Sequence, residues 1–557
     1  MRPSVLLLAA LLAGAMSIDV SAQEIRIDPW KAADQTKVSG AADASRIAPA
    51  IASDASSSAA GTLAALFDTP CADGFAGPFP CQNVDLLAFL PIDSIGGVRN
   101  PEGELLTSLN DIWGWTDPET GREYALVGRS DGTSFVDVTE PTNPLFVGSL
   151  PPTPGAYNSI WRDVKVYADH AFIVADNAGA HGVQVFDLTQ LRGVTSPPAA
   201  FAPSATYNGI GSAHNIVINE ETGFAYAVGS SGGTNGCGSG LHMIDIREPK
   251  APAFVGCHNV AGTGRARNGY THDAQCVIYK GPDERYQGHE ICLMANESHV
   301  VISDVTDKEN PKEISRAEYP DVAYAHQGWL TDDHQYFLQD DELDHRSGTP
   351  NTRTRIWDVT NLEDPILADV YIAESSSIDH NLYVRGDRVF QSNYTSGLRI
   401  LDITEPPKPV EVGYFDGFPG HDGGGFLGSW SNYPYFDSGN VIFTGINEGL
   451  FIVRPTNEAV FTDLTPPAPT DFDLLAAFPN PFTNETKLEV LIERPQHLSV
   501  AVFDVQGKEV VRLFDGFVGS PGSLDLIFDG ERVASGVYFV RATGASGTRT
   551  RAITLQK

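Results

Sequence analysis

Basic residues are scarce in this 557-residue chain: 37 Lys and Arg stand against 71 Asp and Glu, a formal charge of −34. No block of Lys or Arg offsets that balance, so no nucleic-acid partner is expected, because neutralising phosphates takes a surplus of cations. Long apolar runs are missing as well. The stretch from Val5 to Ala15 is followed by Ser17 and Asp19, short of the about 18 residues that a span requires, and no transmembrane segment is expected in the mature chain. The six cysteines show no CxxC spacing, and the chain has no GxSxG elbow, phosphate-binding loop or HExxH pair. No catalytic motif and no nucleotide cofactor is therefore legible. What is present, 42% apolar and 10% aromatic residues, suffices for a folded core and excludes general disorder.

The N-terminus reads as an address. Arg2 precedes the apolar run, and Val20-Ser21-Ala22 offers small residues before Gln23, so residues 1–22 are expected to be a cleaved secretory signal. Residues 23–70, rich in Ala, Ser and Asp, read as a low-complexity leader. Export permits disulfides, and the cysteines fall into neighbours: Cys71 with Cys81, Cys237 with Cys257, Cys276 with Cys292. Six cysteines allow fifteen connectivities, so neighbour pairing is one expectation and buried free thiols the other. The prolines of Thr465-Pro466-Pro467-Ala468-Pro469 mark a linker over 461–472.

Residues 473–557 carry alternating segments, KLEVLIE, LSVAVFD, EVVRLFD, LDLIFD, GVYFVRA and TRAITLQ, separated by turns such as Gln506-Gly507 and Asp529-Gly530. That pattern predicts a small β-sandwich. Its motifs Phe478-Pro479-Asn480-Pro481-Phe482, Val502-Phe503-Asp504-Val505-Gln506-Gly507-Lys508 and Ala534-Ser535-Gly536-Val537-Tyr538-Phe539-Val540 resemble the C-terminal sorting domain of type IX secretion substrates. The resemblance implies the type IX machinery as a partner, passage across the outer membrane, removal of the domain, and a product that is secreted or attached to the outer-membrane surface. A carbohydrate-binding or immunoglobulin-like sandwich is the alternative.

Between these ends one strand recurs seven times: TSFVDVTEPTNP, VQVFDLTQL, LHMIDIREPKAP, VVISDVTDKENP, TRIWDVTNLEDP, LRILDITEPPKP and LFIVRP. Its polar end falls at Asp137, Asp187, Asp245, Asp304, Asp358, Asp402 and Arg454. A second column runs in phase: Asn110-Asp111, Arg162-Asp163, His214-Asn215, His272-Asp273, His326-Gln327, His380-Asn381 and Ser431-Asn432. Four strands in each unit of this length predict blades, and seven units predict an all-β, seven-bladed propeller over 71–460. The last unit lacks a fourth strand, and Val84–Leu90 is expected to supply it and close the ring. The strand pattern resembles the LVIVD repeat, and GSAHNIVINEETGFAYAVG, GYTHDAQCVIY, HQGWLTDD and IDHNLYV resemble choice-of-anchor B proteins. That resemblance implies an extracellular propeller and brings no catalytic residues.

In such a fold the loops entering first strands and joining strands two and three share one face. His214, His272, His326 and His380 would converge there with Asp273 or the run Asp340-Asp341-Glu342 to hold a divalent cation: imidazoles favour a transition metal, carboxylates calcium. The loop residues Arg129, Asp131, Asp176, Asn296, Glu297 and His345 would line a ligand face. The competing expectation is that each His and its neighbour only cap a strand and bond to the next blade. Trp113, Trp115, Trp161, Trp329 and Trp430 would line a site or pack between blades. The function expected is a secreted or surface module binding a protein, glycan or peptide; the alternative is a metal-dependent hydrolase or lyase at the channel mouth.

Overall fold

The computed structural model describes residues 63–347, 351–461 and 472–557, the last without 475–478, 493, 504–507, 521, 531–532 and 545–546. The signal, most of the leader and linker, and Phe478 and Asp504–Gly507 of the sorting motifs lie outside the described residues. The fold is all-β, and the chain divides into two units, up to Thr462 and from Asp463.

Among its described residues the first unit holds seven sheets, numbered here in chain order by their innermost strands: Leu109–Thr116, Arg162–Tyr167, Asn215–Asn219, Asp273–Ile278, Ala325–Leu330, Leu382–Arg385 and Ser429–Tyr433. Each sheet contains four antiparallel strands in sequence order outward, except that sheet 7 takes its fourth strand, Val84–Pro91, from before sheet 1, and sheet 1 gains Ala199–Ala200 as a short parallel strand outside Leu145–Leu150. Each innermost strand touches the next, and that of sheet 7 touches that of sheet 1, so the sheets form a closed, propeller-like ring. The apolar face of every strand turns toward a neighbouring sheet, and a separate apolar cluster fills each of the seven gaps. Phe135 on Phe186, with centroids 4.7 Å apart, is one such contact; burying one Phe side chain contributes about 1.5–3 kcal/mol. The aspartates that end the third strands anchor turns, as when Asp137 accepts the Thr139 amide (3.0 Å) and Asp358 that of Thr360 (2.9 Å).

Sheets 6 and 7 depart from the expected plan. Phe79–Gln82 adds outside Val410–Phe415 in sheet 6, and Leu66–Thr69 adds outside Val84–Pro91 in sheet 7. The leader expected over 23–70 therefore overreaches. Its Ala/Ser/Asp composition gives way at Leu66, whose half-buried side chain packs on the cluster between sheets 6 and 7. Cys71–Cys81 closes this N-terminal strap. Cys237–Cys257 joins the approach to the third strand of sheet 3 to its fourth, and Cys276–Cys292 bridges opposed residues of sheet 4; all six cysteines are paired as neighbours.

The second unit contains a three-stranded sheet, ordered Phe472–Leu474, Glu485–Ile492, Gly522–Asp529, and a four-stranded one, ordered Glu509–Val518, Gln496–Phe503, Gly536–Gly544, Gly547–Leu555. Leu488, Val490 and Phe528 of the first share one core with Val500, Val502 and Val540 of the second. No helix among the described residues is long and apolar enough to cross a membrane.

Candidate metal centre

Four consecutive sheets each deliver one imidazole at the start of the innermost strand. The ring centroids of His214, His272, His326 and His380 follow one another at 4.3, 4.2 and 4.5 Å, an arc across sheets 3 to 6. Every ring is tied through Nδ1. His214 meets Asp176 Oδ2 (3.1 Å), His272 the His326 carbonyl (2.9 Å), His326 Asp340 Oδ2 (3.0 Å) and His380 the Trp430 carbonyl (2.5 Å). A carbonyl or carboxylate at Nδ1 fixes the proton there and leaves the Nε2 lone pair for a ligand, the same device that orients metal-binding histidines.

Glu342 completes the group. It lies just past the strand Tyr336–Asp341, and its Oε1 accepts the Tyr394 hydroxyl at 2.8 Å and stands 3.8 Å from His380 Nε2. One donor atom each of His326, Glu342 and His380 lies within 4.8 Å of the others, and all three side chains are buried. An aromatic and aliphatic collar of Tyr324, Tyr394, Phe426 and Trp430 surrounds them. His214, with a side chain 17% exposed, is the open end of the arc. The loops of sheets 2 and 3 border an open cleft of about 530 Å³ lined by Tyr157, Asn177, Ser212, Ser231 and glycines.

Burial, reinforced by the neighbouring rings, holds His272 and His380 well below the usual histidine range and brings His326 to about 3. These rings are neutral at physiological pH, the form that binds metal. Burial acts to lower His214 too, but the Asp176 carboxylate outweighs it and raises that ring. Burial raises the Asp340 carboxyl, whose Oδ2 lies against His326 Nδ1 while its Oδ1 takes the Gln327 amide.

The rest of the expected set is divided differently. Asp341 is not turned to the imidazoles: it accepts the Tyr319 hydroxyl and the amides of Ala323 and Tyr324, fixing the entry to sheet 5. Asp273 accepts the Ala274 amide, and burial together with Asp163 lifts it to about 7. The expected ligand-face loops are largely internal. Arg129 pairs with Asp131 at 2.9 Å and donates to the Ile95 carbonyl; Asn296 donates to Thr263; Glu297 accepts the Arg265 amide; Asp176 orients His214. With Arg129, Asn296 and Glu297 buried, these groups build the mouth rather than present it to solvent, and His345 approaches the edge of Phe426.

The expected stapling of sheet to sheet belongs mainly to the second residue of the column. Asp111 accepts the Val164 amide, Asp163 the Ile216 amide, Asn215 donates to the His272 carbonyl and Gln327 to the Leu382 carbonyl. His272 and His380 staple as well, through Nδ1, and this costs Nε2 nothing. Two features escaped the sequence reading. Lys165 forms a buried pair with Asp163 and lies 3.4 Å from Asp111 Oδ2, with its ammonium over Trp113. Further along the innermost strands Trp113 meets Tyr383, and Trp329 meets Tyr435. These pairs join non-adjacent sheets, so aromatics fill the axis away from the imidazoles; Trp113 and Trp329 are packing residues, and Trp430 belongs to the collar.

Residues 476–556 match the secretion system C-terminal sorting domain. This is a type IX sorting tail; it indicates export by that system to the cell surface or extracellular space and interaction with its machinery. No curated protein matches the chain. Among solved structures it is similar to PorZ, a surface component of the type IX secretion system of Porphyromonas gingivalis, at 12% identity and TM-score 0.38, covering 80% of this chain and 59% of that one. A Lactobacillus plantarum protein (11%, TM-score 0.38, 76% and 99% covered) and the C-terminal WD40 domain of Sif2 (8%, 0.39, 62% and 96%) are similar at the same level. Likeness this distant carries no argument about activity.

Proposed function

We propose that this is an exported surface or extracellular component whose seven sheets are the blades of a closed propeller, with a transition-metal centre at one axial mouth that anchors its ligand. The resemblance of its repeats to LVIVD and choice-of-anchor B proteins supports the propeller, and the two-sheet C-terminal unit supports a sorting sandwich. One observation carries the metal: four imidazoles, all bound at Nδ1 and three of them held neutral by burial, stand in an arc beside Glu342. Nitrogen-rich donors with one carboxylate suit zinc, copper or nickel better than calcium, which prefers six to eight oxygens. His326, His380 and Glu342 would hold the ion, with His272 adjacent and His214 toward the entrance.

Bound there, the metal would supply an electrophilic centre for an anionic or carbonyl group of an extracellular ligand. A second reading, a metal-dependent hydrolase or lyase, draws on Asp273: a carboxyl near pH 7 is poised to exchange a proton. The test is metal analysis of the full chain purified without chelator, with zinc titration of the chelated protein. One tightly bound transition metal per chain, lost in His326→Ala and His380→Ala, is the expected result; wild-type protein that retains no zinc at micromolar concentrations overturns the reading. Turnover of ester, peptide or glycoside probes by the metal-loaded protein, abolished by Asp273→Asn, would select the enzyme over the binding module.

A further inference from the structure

The column that provides the imidazoles carries Arg162 in sheet 2, and its surroundings do not match its charge. Arg162 is 2% exposed. Its Nη1 donates to His181 Nε2 at 3.2 Å, and His181 Nδ1 is satisfied by the Gly182 carbonyl at 3.0 Å. Burial and the nearby guanidinium hold His181 at about 4, so it is neutral and contributes no counter-charge. Arg162 Nε and Nη2 have no partner. Burial brings the guanidinium down only to about 10, so it stays charged. The acid nearest in effect is Asp131, and its carboxylate is engaged by Arg129 at 2.9 Å and by Thr107 at 2.9 Å.

Strand alternation shows where the orphaned donors lie. Val164 packs in the gap between sheets 1 and 2, so Arg162, two residues earlier, is turned into the same gap. Phe135 and Phe186 stack across it, and strand alternation turns Thr133 and Gln184, each two residues upstream of one of those rings, into the same gap near the start of their strands. Both are buried, and Thr133 Oγ1 and Gln184 Oε1 are unpartnered too. Gln184 Nε2 donates to the Pro151 carbonyl of sheet 1, which fixes its amide with the oxygen inward. The same gap thus receives, toward its mouth end, a charged donor with two unused N–H groups, a hydroxyl and one acceptor.

We propose that the gap between sheets 1 and 2 binds a small monoanion of halide size on Arg162, with the Thr133 hydroxyl as its second donor. Water alone would satisfy the dipoles but not the charge, and an uncompensated buried cation is among the costliest things a fold contains. Gln184 Oε1 is an acceptor that keeps a bare anion on the Arg162 side. The site is independent of the metal reading: it lies in another gap and shares none of the proposed ligands.

Crystals of the full chain grown without halide and soaked in sodium bromide test it directly. An anomalous peak within hydrogen-bonding reach of Arg162 Nε or Nη2 supports the site; density there that refines as water only, with no anomalous signal, overturns it. In solution, replacing gluconate by chloride at constant ionic strength is expected to raise the unfolding midpoint by about 1–3 °C, and Arg162→Met to abolish that rise. Equal midpoints in both anions for the wild type would also overturn the proposal. Should Arg162→Met fail to fold, the bromide soak of the wild type and a Thr133→Val variant with weakened chloride dependence decide in its place.

Discussion

Sheets 3 to 6 and sheets 7, 1 and 2 are built to the same plan, yet their mouth residues differ: His214, His272, His326 and His380 on one arc, Ser431, Asn110 and Arg162 on the other. Behind the mouth residues, Asp111, Asp163, Asn215, Gln327, Asn381 and Asn432 bond to neighbouring sheets on both arcs. Closing the ring therefore does not require histidine. The imidazoles are an addition to a working scaffold, and each is held so that Nε2 is kept for something else.

The comparison is broken most severely by removing ligands from the first arc. The double variant His326→Ala/His380→Ala is expected to lower zinc affinity by more than about 10³-fold, since two of the closest donors are gone, while its circular dichroism stays that of the wild type. Asp340→Asn leaves the donors in place but loosens the His326 ring and its tautomer; isothermal titration should give zinc binding weaker by about 10–100-fold. The converse result is expected for the staple: Asp163→Ala removes an acceptor from buried amides and from Lys165, lowering stability to denaturant by about 3–5 kcal/mol with zinc stoichiometry unchanged.

The smallest effect is a pH dependence. The His214–Asp176 pair raises the pKa of the ring, so its stabilisation is fully present below pH 6.5, the unfolded value, and disappears as pH rises through the folded value. Asp176→Asn should therefore cost stability at pH 6 and little at pH 9. His326 has the opposite sign: with a folded value of about 3, the metal-free protein should lose stability as pH falls below about 6.5, less steeply in His326→Ala.

Much of this was legible because repetition multiplies weak signals. A lone histidine before a strand means little, but the same place in four successive units brings four rings together. The donated strand Val84–Pro91 was legible as the segment left over by the count. The acidic run was harder. Asp340, Asp341 and Glu342 look equivalent in the sequence, but on a strand consecutive side chains point to opposite faces. Asp340 therefore turns to His326 and Asp341 to the Tyr319 hydroxyl, and Glu342, just past the end of the strand, reaches His380 and the Tyr394 hydroxyl. The loop residues were misjudged because polarity does not report burial: Asn296 and Glu297 are as polar as any exposed loop, yet are fully covered. Arg162 stands in the column at the place where four other sheets carry histidine, and its missing counter-charge is visible only when the neighbouring sheet is in place.

The strap from Leu66 to Pro91 lends two strands to each of two sheets made from the opposite end of the same body. Residues 84–91 can pair early only with the four-residue strand Leu66–Thr69; their inner partner is Gly449–Pro455, so the closing seam is the last contact the first unit can make. A rearranged gene that begins near Leu105 and appends residues 66–91 behind Pro455 would turn that latest, longest-range pairing into a local hairpin. Such a molecule should reach the same structure sooner, and the gain in refolding rate would measure how much time the native order spends waiting for its first residues to find its last.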